Sequence, residues 1–240
     1  MKRLAVLIPG ILTPEYLAAR VDHLKKFVSA DTEITPLVFS GPTRDIKVGG
    51  DVSLLAAETR QIAIDVEKQG YDALVIHGIC DFGIEAARGA VTIPVVGLGS
   101  ATFHLASQLA DRYGVVTKSD ATIPEFLRRI QLMGCADRIT SMRPLNVKEN
   151  ELLDKRDEVE KKFIDIARHQ VEEEGAQLIV AGYSAILGIL SGGARAELEE
   201  TLGVPVVDGV PVALKTAEML VDLNMTHSRR AYPMTDSYDG

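Results

Sequence analysis

The sequence predicts an α/β fold, in which short strands alternate with helices along the chain. Eight apolar runs rich in β-branched residues have the length of buried strands. The segments between them carry apolar residues at helical spacing, as at Leu55, Ile62 and Val66. This alternation builds parallel sheets, because each parallel pair of strands needs a crossover connection. The predicted strands are residues 4–8, 34–39, 73–77, 94–97, 113–117, 139–142, 178–181 and 204–207.

A repeat at long spacing divides the sequence into two halves. In the first half, the apolar run at 73–76 is followed by a turn of small residues, a helical segment and a Pro-Val-Val strand at 94–96. In the second half, the run at 178–181 is followed by the same series, which ends in the Pro-Val-Val strand at 205–207. The repeat predicts two lobes of similar topology.

We expect the two lobes to be pseudo-symmetric, each with a parallel sheet flanked by helices. The first lobe is predicted to contain residues 1–98 and 211–240, and the second to contain residues 99–210. Ligands of open α/β sheets bind outside the carboxyl ends of the strands, so the turns that follow the repeated strands are candidate binding elements. The resulting expectation is an active-site cleft between the lobes.

The charge balance favours a small molecule as the partner. With a formal net charge of -8 and an isoelectric point near 5.2, the chain has no excess of Lys and Arg to neutralise the phosphates of nucleic acid or of an anionic membrane. The first apolar run ends in Pro9-Gly10 without a small-residue cleavage site, and no run reaches the roughly 18 to 20 apolar residues that cross a bilayer. We expect a cytoplasmic enzyme with neither nucleic acid nor membrane as a partner.

No metal or cofactor is predicted. Cys80 and Cys135 lie far apart and lack Cys or His at metal-ligand spacing. Residues 81–83 match the Asp-Phe-Gly metal-binding tripeptide of kinases, but the accompanying kinase motifs are missing. Residues 97–102 begin like a dinucleotide fingerprint and then lack its third glycine. A cofactor-independent enzyme is the resulting interpretation.

Five segments, in order along the chain, match one known enzyme family. They are the helix start at 81–88, the strand at 93–97, the strand end at 115–117, the strand at 204–210 and the late segment at 228–232. Together they resemble hydantoin and allantoin racemases of the aspartate/glutamate/hydantoin racemase superfamily. The resemblance implies a pseudo-symmetric enzyme, usually a homo-oligomer, in which each lobe contributes a cysteine from the turn after a central strand. One thiol is ionised and the other protonated, because racemisation removes a proton from one face of a carbon and returns it on the other.

The resemblance breaks down at the cysteine positions. Alignment without a gap puts Gly78 at the first position, and Cys80 lies two residues later. At the second position, the family sequence Gly-Cys-Ala/Thr is replaced by Gly-Tyr-Ser at residues 182–184. The two-thiol mechanism is therefore broken at the second position, and at the first it depends on whether Cys80 replaces the missing thiol.

The N-terminal turn departs from the family as well. Hydantoin racemases usually carry Asn-Pro-Asn-Thr there, whereas this chain has Ile8-Pro9-Gly10-Ile11. Two amide side chains that would hold polar atoms of a substrate are missing. Either the substrate is less polar, or backbone N–H groups around Gly10 bind it instead, and both alternatives disfavour hydantoins and amino acids.

Three residues are candidate catalytic groups, each with a structural alternative. Cys80 precedes a predicted helix, whose N-terminal amides favour a reactive thiolate, but a buried cysteine often serves as a small apolar residue. Tyr183 either donates a proton or forms an aromatic wall, since a phenol with an ordinary pKa of about 10 is a poor base. His77 either acts as a base near neutral pH or is a hydrogen-bonded structural histidine. The predicted substrate-binding residues are Pro9, Gly10, Gly78, Ile79, Thr117, Gly182 and Ser184.

Three functions follow from these residues. The first is a racemase or isomerase that acts by acid/base chemistry on a small carbonyl or carboxylate compound, with Cys80 opposite Tyr183 or His77. The second is a lyase of the kind that decarboxylates arylmalonates, for which one thiol and an anion-stabilising pocket suffice. The third is a small-molecule-binding protein that has lost the chemistry.

Overall fold

The structure, a computed structural model, describes residues 1–10, 13–40, 49–147, 155–183, 186 and 195–234. Ser184, a predicted substrate-binding residue, lies outside these ranges. The strands are β1 Lys2–Ile8, β2 Thr32–Val38, β3 Ala73–Ile76, β4 Val95–Gly97, β5 Tyr113–Thr117, β6 Ile139–Pro144, β7 Ile179–Ala181 and β8 Val206–Asp208. The helices are α1 Pro14–Lys25, α2 Gly49–Leu54, α3 Ala56–Lys68, α4 Ile84–Arg88, α5 Leu98–Leu109, α6 Ile123–Leu132, α7 Arg156–Glu172, α8 Arg195–Leu202 and α9 Gly209–Asp222.

Four parallel strands form the first sheet, in the order β2-β1-β3-β4. Its two middle strands are apolar runs, and each residue from Leu4 to Ile8 and from Ala73 to Ile76 is at most 1% exposed. Such runs are typical of parallel sheets that helices cover on both faces. The periodic face of α3 provides part of the cover through Thr59, Ala63 and Val66, all buried.

Four parallel strands also form the second sheet, in the order β6-β5-β7-β8. Its core joins Val116 and Ile179 to Val159 and Phe163 on the buried face of α7. The helical spacing of these α7 residues explains why one side of a highly charged helix packs on the sheet while the other side meets water. In the part of the chain that the structure describes, every helix is too short or too polar to cross a membrane.

The predicted α/β class with two parallel sheets is confirmed, and each of the eight predicted strands is present. The predicted strand ends differ from the observed ones by at most two residues, and at the Pro-Val-Val segments β4 and β8 begin after the proline rather than before or at it. Proline has no N–H to give to the ladder. The carbonyls of Pro94 and Pro205 still accept hydrogen bonds from Leu74 and Ile179, at 3.0 and 2.9 Å.

The chain separates into two compact units, one of Met1–Leu98 with Val210–Gly240 and the other of Gly99–Gly209. Within the first unit, α9 is tied to the β2 side of the sheet by the buried carboxylate of Glu218. This carboxylate accepts hydrogen bonds from the backbone of Ser29 at 2.7 Å and the hydroxyl of Thr32 at 2.6 Å. Burial opposes its ionisation, but hydrogen bonds from Lys215, Thr32 and Ser29 outweigh burial and lower the pKa of Glu218 to about 2.

The two sheets have the same strand order, and the pairing of their two middle strands and of β3 with β4 and β7 with β8 follows the same pattern, so positions near the ends of β3 and β7 have equivalents. The N–H of His77, just after β3, donates to the Leu7 carbonyl at 2.9 Å. The N–H of Gly182, just after β7, donates to the Val116 carbonyl at 2.9 Å. His77 and Gly182 are therefore equivalent, and the turns that follow them can be compared residue by residue.

The edge strands β4 and β8 are capped by side chains at equivalent positions. The N–H of Val95 donates to Nε2 of His227 at 2.8 Å, and the N–H of Val206 donates to the Glu199 carboxylate at 2.9 Å. Burial, with the nearby charge of Arg88, lowers the pKa of His227 to about 4, which keeps the ring neutral and able to accept. Both caps satisfy a backbone donor that an edge strand would otherwise offer to another chain.

Candidate active site

The turn after β3 contains Gly78, Ile79 and Cys80, three of the predicted site residues. The Gly78 carbonyl accepts the N–H of Asp81 at 3.0 Å, which closes a β-turn with Ile79 and Cys80 at its centre. The two central residues are 8% and 9% exposed, and the Cys80 sulfur forms no disulfide. The turn brings Cys80 to the carboxyl end of the sheet, where ligands of such folds bind, and its catalytic role stays a prediction.

Gly78 has no room for a side chain. A Cβ at this position would lie 2.1 Å from Cε1 and 2.9 Å from Cδ1 of Phe82. The Phe82 ring is 1% exposed and packs edge-on against Phe39, with the ring centroids 5.4 Å apart. An aromatic ring therefore fills the side-chain space at the position that the resemblance assigns to the first cysteine.

His77 is buried at the end of β3. It is 2% exposed, and within the described residues its Nδ1 has no hydrogen-bond partner. Burial lowers the pKa of the imidazole to about 3, and the positive charge of Arg20 adds to the effect. An imidazole with so low a pKa is a weak base at neutral pH. These features favour a neutral imidazole and argue against His77 as a base.

The equivalent turn of the second unit follows β7 and contains Gly182 and Tyr183. A Cβ on Gly182 would lie 2.8 Å from a methyl carbon of Val115 and 3.0 Å from the Val116 carbonyl oxygen. Glycine is therefore required at residue 182, because β7 and β5 approach each other closely there. The next residue, Tyr183, begins the turn.

Tyr183 and Gly78 occupy equivalent positions, since they directly follow the equivalent residues Gly182 and His77. The hydrogen bond from the N–H of Ile186 to the Tyr183 carbonyl, at 2.9 Å, repeats the bond from Asp81 to Gly78. The two positions that the resemblance assigns to cysteine are thus equivalent in the fold. One holds a glycine and the other a tyrosine.

Polar groups gather around Tyr183 at the carboxyl edge of the second sheet. The Lys118 ammonium, directly after β5, lies 5.3 Å from the centre of the Tyr183 ring, within the range of a cation–π interaction. Thr117 is fully buried, and among the described residues its hydroxyl has no hydrogen-bond partner. An ammonium, a phenol and a hydroxyl of this kind are able to bind oxygen atoms of a ligand.

Pro9 and Gly10 directly follow β1, at the same edge of the first sheet as the Cys80 turn. Both residues are half-buried, and Gly10 has a φ of 111°, a backbone conformation that favours glycine. Ile11, the next residue of this segment, lies outside the described residues. The substrate-binding role of Pro9 and Gly10 stays a prediction.

The side chains at the carboxyl edge of each sheet are suited to acid/base chemistry. They include the Cys80 thiol, the Tyr183 phenol, the Lys118 ammonium and the Thr117 hydroxyl, which can hold or donate protons. Across the described ranges, no three His, Cys, Asp or Glu side chains are grouped as metal ligands. The residues described here therefore offer proton donors and anion-binding groups, and no metal centre among themselves.

The contacts of three residues near these turns are not identifiable from the sequence alone: Asp81, Phe82 and Lys118. Their significance depends on the side chains and backbone that they meet after folding, namely Gly97, Gly78 and Tyr183 respectively. The glycines are the available signals, because a glycine within or beside a buried strand often marks close approach of another group.

Comparison with known proteins identifies the family. The family model of the Asp/Glu/Hydantoin racemases matches residues 43–217. A hydantoin racemase from Pseudomonas sp. (strain NS671) is 33% identical over 183 residues, which are 72% of this chain and 69% of that protein. A hydantoin racemase from Rhizobium meliloti is 30% identical over 224 residues, which are 90% of this chain and 86% of that protein.

Solved structures show the same fold. The allantoin racemase from Klebsiella pneumoniae has a TM-score of 0.83 and 24% identity, with coverage of 97% of this chain and 94% of that one. A Gly74Cys mutant of arylmalonate decarboxylase has a TM-score of 0.63 and 18% identity, with coverage of 92% and 93%. The resemblance found in the sequence is confirmed, and the chain belongs to the Asp/Glu/hydantoin racemase family.

Proposed function

We propose that this chain moves a proton at a carbon next to a carbonyl or carboxylate group of a small molecule, as a racemase or isomerase that works without a pair of thiols. Relatives named hydantoin racemase support proton transfer as the reaction. The side chains of the two equivalent turns support a different set of groups for carrying it out. No cofactor takes part in the proposed reaction.

The observation that carries the proposal is the pair of equivalent positions, Gly78 and Tyr183. Racemisation needs one proton-transferring group for each face of the carbon. Neither position carries a thiol, and a cysteine at residue 78 would collide with the Phe82 ring, because its Cβ would lie only 2.1 Å from a ring carbon. The proton-transferring groups of this chain must therefore differ from the symmetric pair that the family resemblance implies.

Cys80 and Tyr183 are the groups that we assign to proton transfer. Cys80 is the thiol of the first turn, and a thiol with an ordinary pKa of about 8.5 is readily ionised by a favourable surrounding. Tyr183 supplies a phenol from the equivalent turn, and the Lys118 ammonium 5.3 Å from its ring stabilises negative charge that develops there.

A decarboxylating lyase is the second candidate, favoured by the presence of a single thiol in the described parts of the two turns. Loss of carbon dioxide leaves a carbanion that needs one proton donor, together with groups that bind the developing negative charge. Cys80 would be the donor, while Lys118 and Thr117 would bind a carboxylate oxygen of the substrate. The malonate carbon is the simplest substrate centre for this reaction.

Incubation in heavy water separates these functions. The protein is mixed with 5-substituted hydantoins, α-amino acids and 2-substituted malonates, and deuterium at the substrate carbon is followed by NMR together with carbon dioxide release. Exchange without carbon dioxide supports the racemase or isomerase. Carbon dioxide release with deuterium in the product supports the lyase. Binding by calorimetry with neither reaction would contradict both and identify a binding protein.

The role of Cys80 is tested in the same assay. The variant Cys80→Ser is expected to lose activity by about a hundredfold or more, the usual contribution of a positioned acid or base. Cys135→Ser is the matched control, because Cys135 is also buried, at 5% exposure against 9% for Cys80, but lies in the turn before β6. Full turnover by Cys80→Ser would contradict the assignment.

A further inference from the structure

Asp81 is a buried carboxylate that the proposed proton transfer does not use. It directly follows Cys80, is 1% exposed, and has a φ of 46°. A non-glycine residue rarely adopts this left-handed conformation, and it persists where surrounding contacts hold it in place. Burial and backbone strain at one residue indicate a specific role for its side chain.

The backbone of Asp81 closes the turn that contains Cys80. Its N–H donates to the Gly78 carbonyl at 3.0 Å, and its own carbonyl accepts the N–H of Ile84 at 3.2 Å. The first of these bonds sets the β-turn, and the second leads directly into α4. A shift of Asp81 would therefore disturb both the turn that contains Cys80 and the start of α4.

The side chain of Asp81 is lodged against Gly97, the last residue of β4. A Cβ on Gly97 would lie 2.3 Å from Cγ of Asp81 and 2.4 and 2.5 Å from its two carboxylate oxygens. The carboxylate thus fills the space where a side chain of residue 97 would be. Helix α5 begins at the next residue, and the N-terminus of a helix favours a negative charge.

The contact joins two sequence motifs that resemble ligand-binding signatures of other families. Asp81 belongs to the kinase-like tripeptide, and Gly97 begins the segment that resembles a dinucleotide fingerprint. In this fold each motif meets the other.

The second unit arranges the equivalent positions differently. The residue equivalent to Asp81 is Ile186, as the matching turn hydrogen bond shows. The residue equivalent to Gly97 is Asp208, because Ile76 pairs with Gly97 in the first sheet and Ala181 pairs with Asp208 in the second. In the second unit the carboxylate belongs to the strand, whereas in the first it belongs to the turn.

We propose that Asp81 is the positioning residue of the Cys80 turn, and that Gly97 is glycine because it must accept the Asp81 carboxylate. The contact ties the turn to the junction of β4 and α5 and so fixes where the Cys80 thiol lies. The inference deepens the proposed function, since it rests on Cys80 as the thiol of the site. Asp81 touches no substrate in this scheme and acts through the turn.

Alkylation of the two cysteines tests the inference without any substrate. The rate of iodoacetamide labelling is measured separately for Cys80 and Cys135 by mass spectrometry, between pH 6 and pH 10. We expect Gly97→Ala and Asp81→Ala each to raise the high-pH rate at Cys80 by about tenfold, because a released turn opens more often. The rate at Cys135 should stay within about twofold, as expected for a change that opens one local segment.

Matched variants separate positioning from general damage. Asp81→Asn should keep labelling near that of the wild type, because Asn fills the same space and tolerates the left-handed conformation. Gly89→Ala is the control for adding a methyl group in the same unit, since its Cβ would meet ordinary contacts at 3.4 Å. Circular dichroism of each variant checks that the fold is intact.

A double variant decides whether the carboxylate is what Gly97 accommodates. In an Asp81→Gly background, Gly97→Ala should have no further effect on Cys80 labelling, because nothing then occupies the space of its Cβ. An equal effect of Gly97→Ala in both backgrounds, or unchanged labelling in Asp81→Ala, would overturn the inference. A failure of the proposed function would instead appear as inertness in the heavy-water assay, with the labelling pattern unchanged.

Discussion

The turns after β3 and β7 begin at equivalent positions and differ in the side chains that they carry there. Each is closed by the same hydrogen bond, from Asp81 to Gly78 at 3.0 Å and from Ile186 to Tyr183 at 2.9 Å. Because the register of each sheet fixes where its turn begins, equivalent positions are available for chemistry in both units. Which chemistry each position supports depends on the side chains packed around it.

At the turn after β3, neighbouring side chains of the turn occupy the space beside the glycines, whereas polar groups lie at the turn after β7. Phe82 takes the side-chain space of Gly78, and Asp81 takes that of Gly97. At the second turn, by contrast, an ammonium lies 5.3 Å from the Tyr183 ring, and the buried hydroxyl of Thr117 lies at the end of the neighbouring strand β5. The repeated fold therefore keeps two equivalent backbone positions while the side chains packed around them differ.

The largest expected change is in the free energy of unfolding of a variant at residue 78. It tests whether packing against Phe82 explains why this position is a glycine. Gly78→Ala should destabilise the protein by about 3 kcal/mol, because its Cβ would lie 2.1 Å from the Phe82 ring. Urea denaturation measures the change. Gly89→Ala should change the free energy of unfolding by less than about 0.5 kcal/mol. If Gly78→Ala cost the same in a Phe82→Leu background, the ring would not be what excludes the side chain.

The fold was predictable because its signals are local. Buried parallel strands read as short apolar runs, and all eight runs identified in the sequence form strands. The turns after residues 76 and 181 were predictable as well, since the repeat of strand, turn and Pro-Val-Val strand occurs in both halves. Strand ends are less predictable and differ from the predicted ones by at most two residues; at Pro94 and Pro205 the missing N–H of proline decides where the ladder begins.

The side-chain environment of the site was not predictable in the same way. Asp81 and Gly97 are separated by a helix and a strand, and only the pairing of β3 with β4 brings them together. Lys118 and Tyr183 meet because β5 and β7 are neighbours, which the sequence does not state. The sequence identifies residues at the ends of strands, while contacts between different strands require the sheet order.

A smaller effect concerns His77, whose equivalent in the second unit is a glycine that cannot titrate. Burial lowers the pKa of His77 to about 3 from an ordinary value near 6.5, so the unfolded chain binds the proton more tightly than the folded one. Titration of His77 therefore costs the folded chain no stability above pH 6.5, and the free energy of unfolding decreases as the pH falls from 6.5 towards 3. Between pH 7 and pH 5 we expect the titration of His77 to lower the free energy of unfolding by about 2 kcal/mol.

Urea denaturation at several pH values measures this loss. His77→Asn should remove that part of the pH dependence, whatever its effect on stability at pH 7. His104→Asn is the control, since His104 is exposed on α5. An unchanged slope between pH 7 and pH 5 in His77→Asn would show that other groups cause the loss.

The smallest expected effect sharpens the role of the second turn. Lys118→Met keeps most of the length of the side chain and removes its charge. It should lower the exchange rate in heavy water by about tenfold, because the phenol of Tyr183 loses a nearby cation. Lys118→Arg should stay within about threefold of the wild type. In a Tyr183→Phe background, Lys118→Met should have little further effect if the ammonium acts through the phenol. An undiminished effect there would mean that Lys118 binds the substrate directly, and the two turns would then differ in charge as well as in their proton-transferring group.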